Sequence, residues 1–309
     1  MADEVNQLQR GKDVASRLFQ EFAEQGHYKG RVKPSNTRQG IYAVTPNGQF
    51  LASCNTRSAD RVAKMLRTAL ARWHELPRET RRLPKELAAE FGQVGGWADR
   101  YPADGLVLRV TTRDLPGAKQ GRDWKKNAWN HDFAWFRKNE ARRFVPEKID
   151  TGNTARVPDP LVRRLVLYHL LDNVRGQVST FRNRDIQSAS LTTKIVSTDG
   201  KTAQLRITGA TRAVQKGSWA VSGFRDSRNP TEQERGFATE ILGFATWDLK
   251  NQRFTKFEAV AIGTRWGGTQ FNGRAGDLDA SPIGVALSLG SGDTSERTPP
   301  ARVYKYGWR

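Results

Sequence analysis

The chain has 309 residues, with 51 Lys and Arg against 32 Asp and Glu, a formal charge of +19 at pH 7 and 37% hydrophobic residues. Nine Trp and fourteen Phe exclude a disordered chain, and no run approaches the roughly 18 consecutive apolar residues of a membrane span. A single cysteine, Cys54, excludes an internal disulfide and a thiolate metal cluster.

The length suggests two domains. A field of this charge attracts polyanions such as nucleic acid, anionic polysaccharide or acidic lipid. The charge is dispersed, with no basic tail or basic helix, which equally suits a merely solvated surface. The amino end, MADEVNQLQRGKD, lacks the layout of a signal peptide. Two readings of compartment remain equal: a cytoplasmic protein, or an exported one whose leader lies outside this chain.

In chain order, residues 4–26 predict a helix on the apolar stripe Val5, Leu8, Val14, Leu18, Phe19 and Phe22, stopped at Gly26. Two β-prone runs, 41–45 and 49–53, flank Pro46-Asn47-Gly48 and predict a hairpin. Ser58 is a fitting N-cap for a helix with Val62, Met65, Leu66, Ala69, Leu70 and Trp73 on one face, ended by Pro77. Residues 77–104 read as a connector carrying the domain boundary. Residues 105–115 alternate like a strand. The aromatic and basic segment 122–146 predicts a helix near 132–143. Asp159-Pro160 starts another helix, whose stripe of Leu161, Val162, Leu165, Val166, His169 and Leu170 runs toward Gly176.

From about residue 186 the texture becomes β. One hairpin turns at Asp199-Gly200 and a second at Lys250-Asn251-Gln252, followed by a strand at PIGVALSL and a terminal strand at VYKYGW. The expected class is α+β: an α/β portion over 1–76, the connector over 77–104, and an antiparallel β-rich domain over 105–309 with two helices, its sheet curled or barrel-like.

The stretch IYAVTPNGQFLASCNTRSADRVAKMLRTALARW resembles the last third of a thioredoxin-like domain, where a hairpin precedes a helix packed across the sheet. With the β-rich half, it is similar to uncharacterised two-part bacterial proteins with a degenerate thioredoxin-like amino end. The resemblance implies a scaffold or interaction module. The family's CxxC motif and cis-proline are both missing, and thiol–disulfide exchange needs a second sulfur. A thiol–disulfide oxidoreductase is therefore rejected.

Candidate site residues fall in two places. The Gly-rich loop 264–277 concentrates Arg265, Trp266, Gln270, Asn272 and Arg274, and polar loops on a rigid sheet often carry function. The segment 122–144 interleaves Trp124, Trp129, Phe133, Trp135 and Phe136 with Arg122, Lys125, Lys126, Arg137, Lys138, Arg142 and Arg143, a mixture suited to stacking and neutralising a ligand. Trp129, Trp135 and Arg137 are the choices there; a packed domain interface is the competing reading. His131-Asp132 is a candidate acid/base pair whose partner must come from elsewhere, His169 reads as a core histidine, and Cys54 as a structural thiol. No metal or cofactor is expected. The leading function is a non-catalytic binding or structural protein for a protein partner or an anionic polymer. A nucleic-acid-binding protein and a hydrolase with a carboxylate/His site in the β-rich domain are the alternatives.

Overall fold

The computed structural model describes residues 8–27, 38–56, 58–94, 100–119, 125, 127–221 and 230–308. The chain divides into two units, Met1–Arg100 and Tyr101–Arg309. Among the described residues no helix is long and apolar enough to cross a membrane.

In the first unit, residues 4–7 of the expected 4–26 helix lie outside the described residues, and after a break over 9–13 helix α1 (Val14–Gln25) is capped by the Asp13 side chain, which accepts from the Ser16 N–H at 2.8 Å. Strands β1 (Ile41–Val44) and β2 (Phe50–Cys54) pair antiparallel. The turn between them closes with the Thr45 N–H donating to the Gln49 carbonyl at 2.9 Å. Helix α2 (Ala59–Glu75), capped by Ser58, lays Met65 and Ala69 on Leu51 and Ala52 to form a small core. Cys54 is half-buried at its margin. Helix α3 (Lys85–Val94) follows.

This arrangement corrects the expected fold class. Among the described residues the first unit holds only a two-stranded hairpin, and the chain as a whole is mostly β, dominated by an eight-stranded antiparallel sheet. The expected α+β class therefore gives way to a mostly β one. A hairpin followed by an amphipathic helix needs only a turn and one apolar stripe, so that local layout does not specify the larger fold.

The second unit is built on strands β3 (Leu106–Asp114), β4 (Trp129–Phe136), β5 (Thr154–Arg156), β6 (Ile186–Thr198), β7 (Thr202–Trp219), β8 (Thr231–Asp248), β9 (Arg253–Trp266) and β10 (Ser281–Leu289). Their order across the sheet is β4-β3-β10-β9-β8-β7-β6-β5, with each neighbouring pair antiparallel. Among the described residues the sheet has two ends, β4 and β5, and is not closed into a barrel by strand pairing. The long strands alternate strictly: Ala203, Leu205, Ile207, Thr211 and Ala213 of β7 point inward, while Gln204, Arg206, Thr208 and Arg212 face out. Gly200, at φ +79°, makes the β6–β7 turn, where the Asp199 carboxylate accepts from the Thr202 N–H at 2.6 Å.

Helix α5 (Asp159–Tyr168) covers the inner face with Leu161, Val162, Leu165 and Val166. It stops at Tyr168 rather than running on toward Gly176. Helix α4 is a single turn, Lys138–Arg142. The helix expected near 132–143 is thus strand over 132–136 and helix only over 138–142. Ala134 and Phe136 of β4 face the core. Phe133 and Trp135 on its other face are also buried, with Tyr101 and Trp308 packed on Trp135, so both faces are apolar and the period of two is masked. The expected terminal strand is instead a 3-10 turn at Val303–Lys305.

Candidate anion-binding cleft

The loop 264–277 turns its polar side chains inward. Arg265 and Arg274 are fully buried, and Asn272 is 2% exposed. The Arg274 guanidinium pairs with Asp114 at 2.7 Å, Asp172 at 2.6 Å and Asp277 at 3.2 Å. Arg175 bridges Asp114 at 2.8 Å and Asp277 at 2.7 Å, and Arg265 meets Asp277 at 2.6 Å. Asn272 donates to Asp172 at 3.2 Å. Three guanidinium groups and three carboxylates thus neutralise one another. Burial acts to lower the Arg274 pKa, but its bonds to Asp172 and Asp114 outweigh that and raise it above the ordinary guanidinium value. The loop also comes too close to its neighbours for extra atoms: a Cβ on Gly176 would sit 2.1 Å from the Phe271 carbonyl oxygen. Trp266 is half-buried, donates to Glu234 at 3.0 Å and lies under the Arg212 guanidinium; Gln270 is half-buried.

The residues chosen from the aromatic segment are likewise dispersed. Trp135 is fully buried, Trp129 is 61% exposed, and Arg137 is exposed with its guanidinium 4.7 Å above the Trp308 ring. Arg122, Trp124 and Lys126 lie outside the described residues.

His131 and Asp132 do not act as a pair, since neighbours in a strand point to opposite faces. Asp132 instead accepts from His169 Nδ1 at 3.0 Å and from the Ala301 N–H at 2.9 Å. His169 Nε2 meets the Tyr306 hydroxyl at 2.5 Å. Burial works to raise the Asp132 carboxyl, but the His169 hydrogen bond and charge, with the Ala301 N–H, hold it below the usual carboxylate value. Burial and the Asp132 charge push the Tyr306 phenol well above its own. Both ring nitrogens of His169 are occupied by protein groups. The arrangement clasps the carboxyl-terminal segment against β4 and α5.

A second buried cation has fewer acids around it. Arg235 donates to Gln215 at 2.8 Å and to the Ser179 carbonyl at 2.8 Å, and burial lowers its pKa to about 10 against the opposing pull of Asp185 and Asp172.

In the second unit, cationic side chains gather around a cleft of about 630 Å³ between the 142–148 turn and β5. Its lining includes Arg142, Arg143, Lys148 and Arg156, with Glu147 the one acid among them. Arg142 holds the wall in shape by donating to the Val145 carbonyl at 2.7 Å and the Pro146 carbonyl at 3.2 Å. Arg143 and Lys148 are exposed, with no side-chain partner among the described residues. Arg156 pairs with Asp159 at 3.2 Å, but both side chains are more than half exposed, so water screens that pair and it exchanges readily. Phe144, Val145 and Pro146 are buried behind the cations, which fixes the turn on the core.

Arg142 and Arg143 belong to the basic stretch noted in the sequence; Lys148 and Arg156 carried no signal there. Their convergence depends on the chain reversing between 142 and 154, which no spacing rule reveals. No protein-family profile, curated protein or solved structure matches this chain.

Proposed function

We propose that this protein is a binding protein for an anionic ligand, seated in the cleft beside β5. The observation that supports this reading is the set of four cationic side chains around one cavity with a single opposing carboxylate. Buried Arg175, Arg265 and Arg274 are matched by aspartates and Arg164 by Glu140, whereas Arg143 and Lys148 in the cleft have no such partner among the described residues. Cations converging on a concave surface attract an anion and are weakened by salt. The other candidate clusters are spent on the protein itself: the Arg274 network is internally neutral, and the Asp132–His169–Tyr306 chain of hydrogen bonds is closed.

The test is retention of the whole chain on immobilised heparin across a salt gradient. Arg143→Glu combined with Lys148→Glu is compared with Lys201→Glu combined with Lys250→Glu, which makes the same charge change at two exposed hairpin tips. The cleft variant is expected to elute at clearly lower salt than the tip variant. Equal elution of the two would mean that net charge alone acts, and the proposal would fall.

A further inference from the structure

The two ends of the eight-stranded sheet are treated differently. Along β4, the Ala301 N–H bonds to Asp132, Trp308 stacks on Trp135 at 6.3 Å, and the Tyr306 hydroxyl meets His169, which holds Asp132. That edge is covered by the chain's own carboxyl-terminal segment. Along β5 no such cover exists among the described residues. An open strand edge offers unpaired N–H and C=O groups to a further strand.

The register shows which groups those are. The Ile195 N–H donates to the Asn153 carbonyl at 2.9 Å and the Val157 N–H to the Leu191 carbonyl at 2.9 Å, and Ala155 lies opposite Thr193. Asn153, Ala155 and Val157 therefore turn their backbone groups toward β6. By alternation, Thr154 and Arg156 turn theirs the other way, toward the cleft. Neither finds a backbone partner on that side among the described residues.

Charge flanks this edge on both faces of the sheet. Thr193, whose side chain is on the face opposite that of Lys194, donates to the Phe144 carbonyl at 2.7 Å, which sets the turn bearing Arg143 and Lys148 on one side. Arg156 stands on the other, with Lys194 placed directly across from Thr154. A second copy of this chain would bring the same cations against themselves, which disfavours edge-to-edge self-pairing. An acidic occupant would be held from both faces.

We infer that the cleft takes a short, extended, acidic peptide segment, which adds to β5 as a ninth strand while its carboxylates meet Arg143, Lys148, Arg156 and Lys194. The inference rests on the anion-binding reading above and deepens it. Backbone pairing supplies affinity blind to sequence, and the cations select for Asp and Glu. A polyanion without peptide groups satisfies the cations alone.

The experiment measures binding of fluorescein-labelled octaglutamate to the whole chain by anisotropy, beside the same peptide N-methylated at every residue, so that neither edge can donate, and beside labelled heparin. Thr154→Pro removes an outward N–H while leaving the bonds to β6 in place, the position in a sheet where proline is tolerated. Thr154→Pro is expected to weaken octaglutamate by about tenfold or more and heparin by less than about twofold. The N-methylated peptide is expected to bind the unaltered chain as poorly as octaglutamate binds the variant. Equal binding of plain and N-methylated peptides would overturn strand addition while leaving an anion site standing. Undiminished binding of both octaglutamate and heparin after Arg143→Glu with Lys148→Glu would instead remove the cleft itself. Should Thr154→Pro not fold, the N-methylated probe decides alone. A concentration-dependent dimer that octaglutamate fails to dissociate would also overturn the inference, by assigning the edge to a second copy.

Discussion

Asp132 and His169, 37 positions apart in the chain, are joined by a 3.0 Å hydrogen bond where the histidine side chain is wholly shielded from solvent. Tyr306 completes the line from the other ring nitrogen. A carboxylate, an imidazole and a hydroxyl in series is an arrangement that hydrolytic enzymes use, but here its far end is a buried phenol. The series serves as a fastening. It ties β4, the end of α5 and the segment 301–306 together.

Tyr306→Phe should therefore destabilise the second unit by about 1–3 kcal/mol, because one buried ring nitrogen is left without its partner. Urea unfolding followed by tryptophan fluorescence measures this. A change below about 0.5 kcal/mol would show that the fastening contributes nothing.

Acid should unfold the protein through three carboxylates. At Asp114, Asp132 and Glu140, burial acts upward, but hydrogen bonds and the charges of Arg274, His169 and Arg164 respectively prevail and depress the folded-state pKa. A depressed folded value means that the unfolded chain binds more protons as pH falls. The stabilisation is complete above the ordinary carboxylate range, near pH 4, and is lost as pH falls through the folded values. The thermal midpoint should drop between about pH 5 and pH 3. Asp132→Asn should lower the midpoint at neutral pH and flatten the acid limb; an unchanged limb would show that Asp132 is not one of the groups responsible.

Arg274→Met should cost about 3–5 kcal/mol, since Asp114, Asp172 and Asp277 would lose a shared buried countercharge. Combining it with Asp172→Asn should recover part of the loss. Strict additivity of the two substitutions in chemical denaturation would contradict a coupled network.

Trp129 and Trp135 should separate cleanly. Trp135→Ala should destabilise by about 3–5 kcal/mol, as for other large buried aromatics. Trp129→Ala, at a site 61% exposed, should change stability by less than about 0.5 kcal/mol. Loss of octaglutamate binding in folded Trp129→Ala would restore Trp129 as a ligand contact.

Cys54→Ser should leave the fold intact at a cost below about 1 kcal/mol, because the thiol is half-buried at the margin of the small α2 core. Circular dichroism and the thermal midpoint check this, and a large loss would place Cys54 in the core proper.

Turns were the most legible part of the chain. Asn47-Gly48 and Asp199-Gly200 each force a reversal by local backbone chemistry, and the alternation of β7 follows directly from its residues. The fold beyond these turns was not. β10 lies between β3 and β9, and that pairing joins residues roughly 170 positions apart with no local signature. The surroundings of the candidate site residues were hidden for a related reason. A Gly-rich loop with Arg265, Asn272 and Arg274 reads as an exposed polar surface until Asp114 and Asp172, contributed from distant segments, are seen to meet it. The basic cleft escaped notice because Arg143 and Lys148 look like ordinary surface charge until β5 is set beside them.

The place of β10 between β3 and β9 also has a consequence in time. During synthesis the β3–β4 hairpin emerges early, yet the strand that joins it to the meander ends only at Leu289. Until then β3 carries an open flank beside Leu106, Leu108 and Val110, which bear the core. A nascent chain in that condition is exposed to association with its neighbours on the ribosome. Slowed synthesis or truncation before residue 281 should send more of the product to inclusion bodies than the 309-residue chain yields.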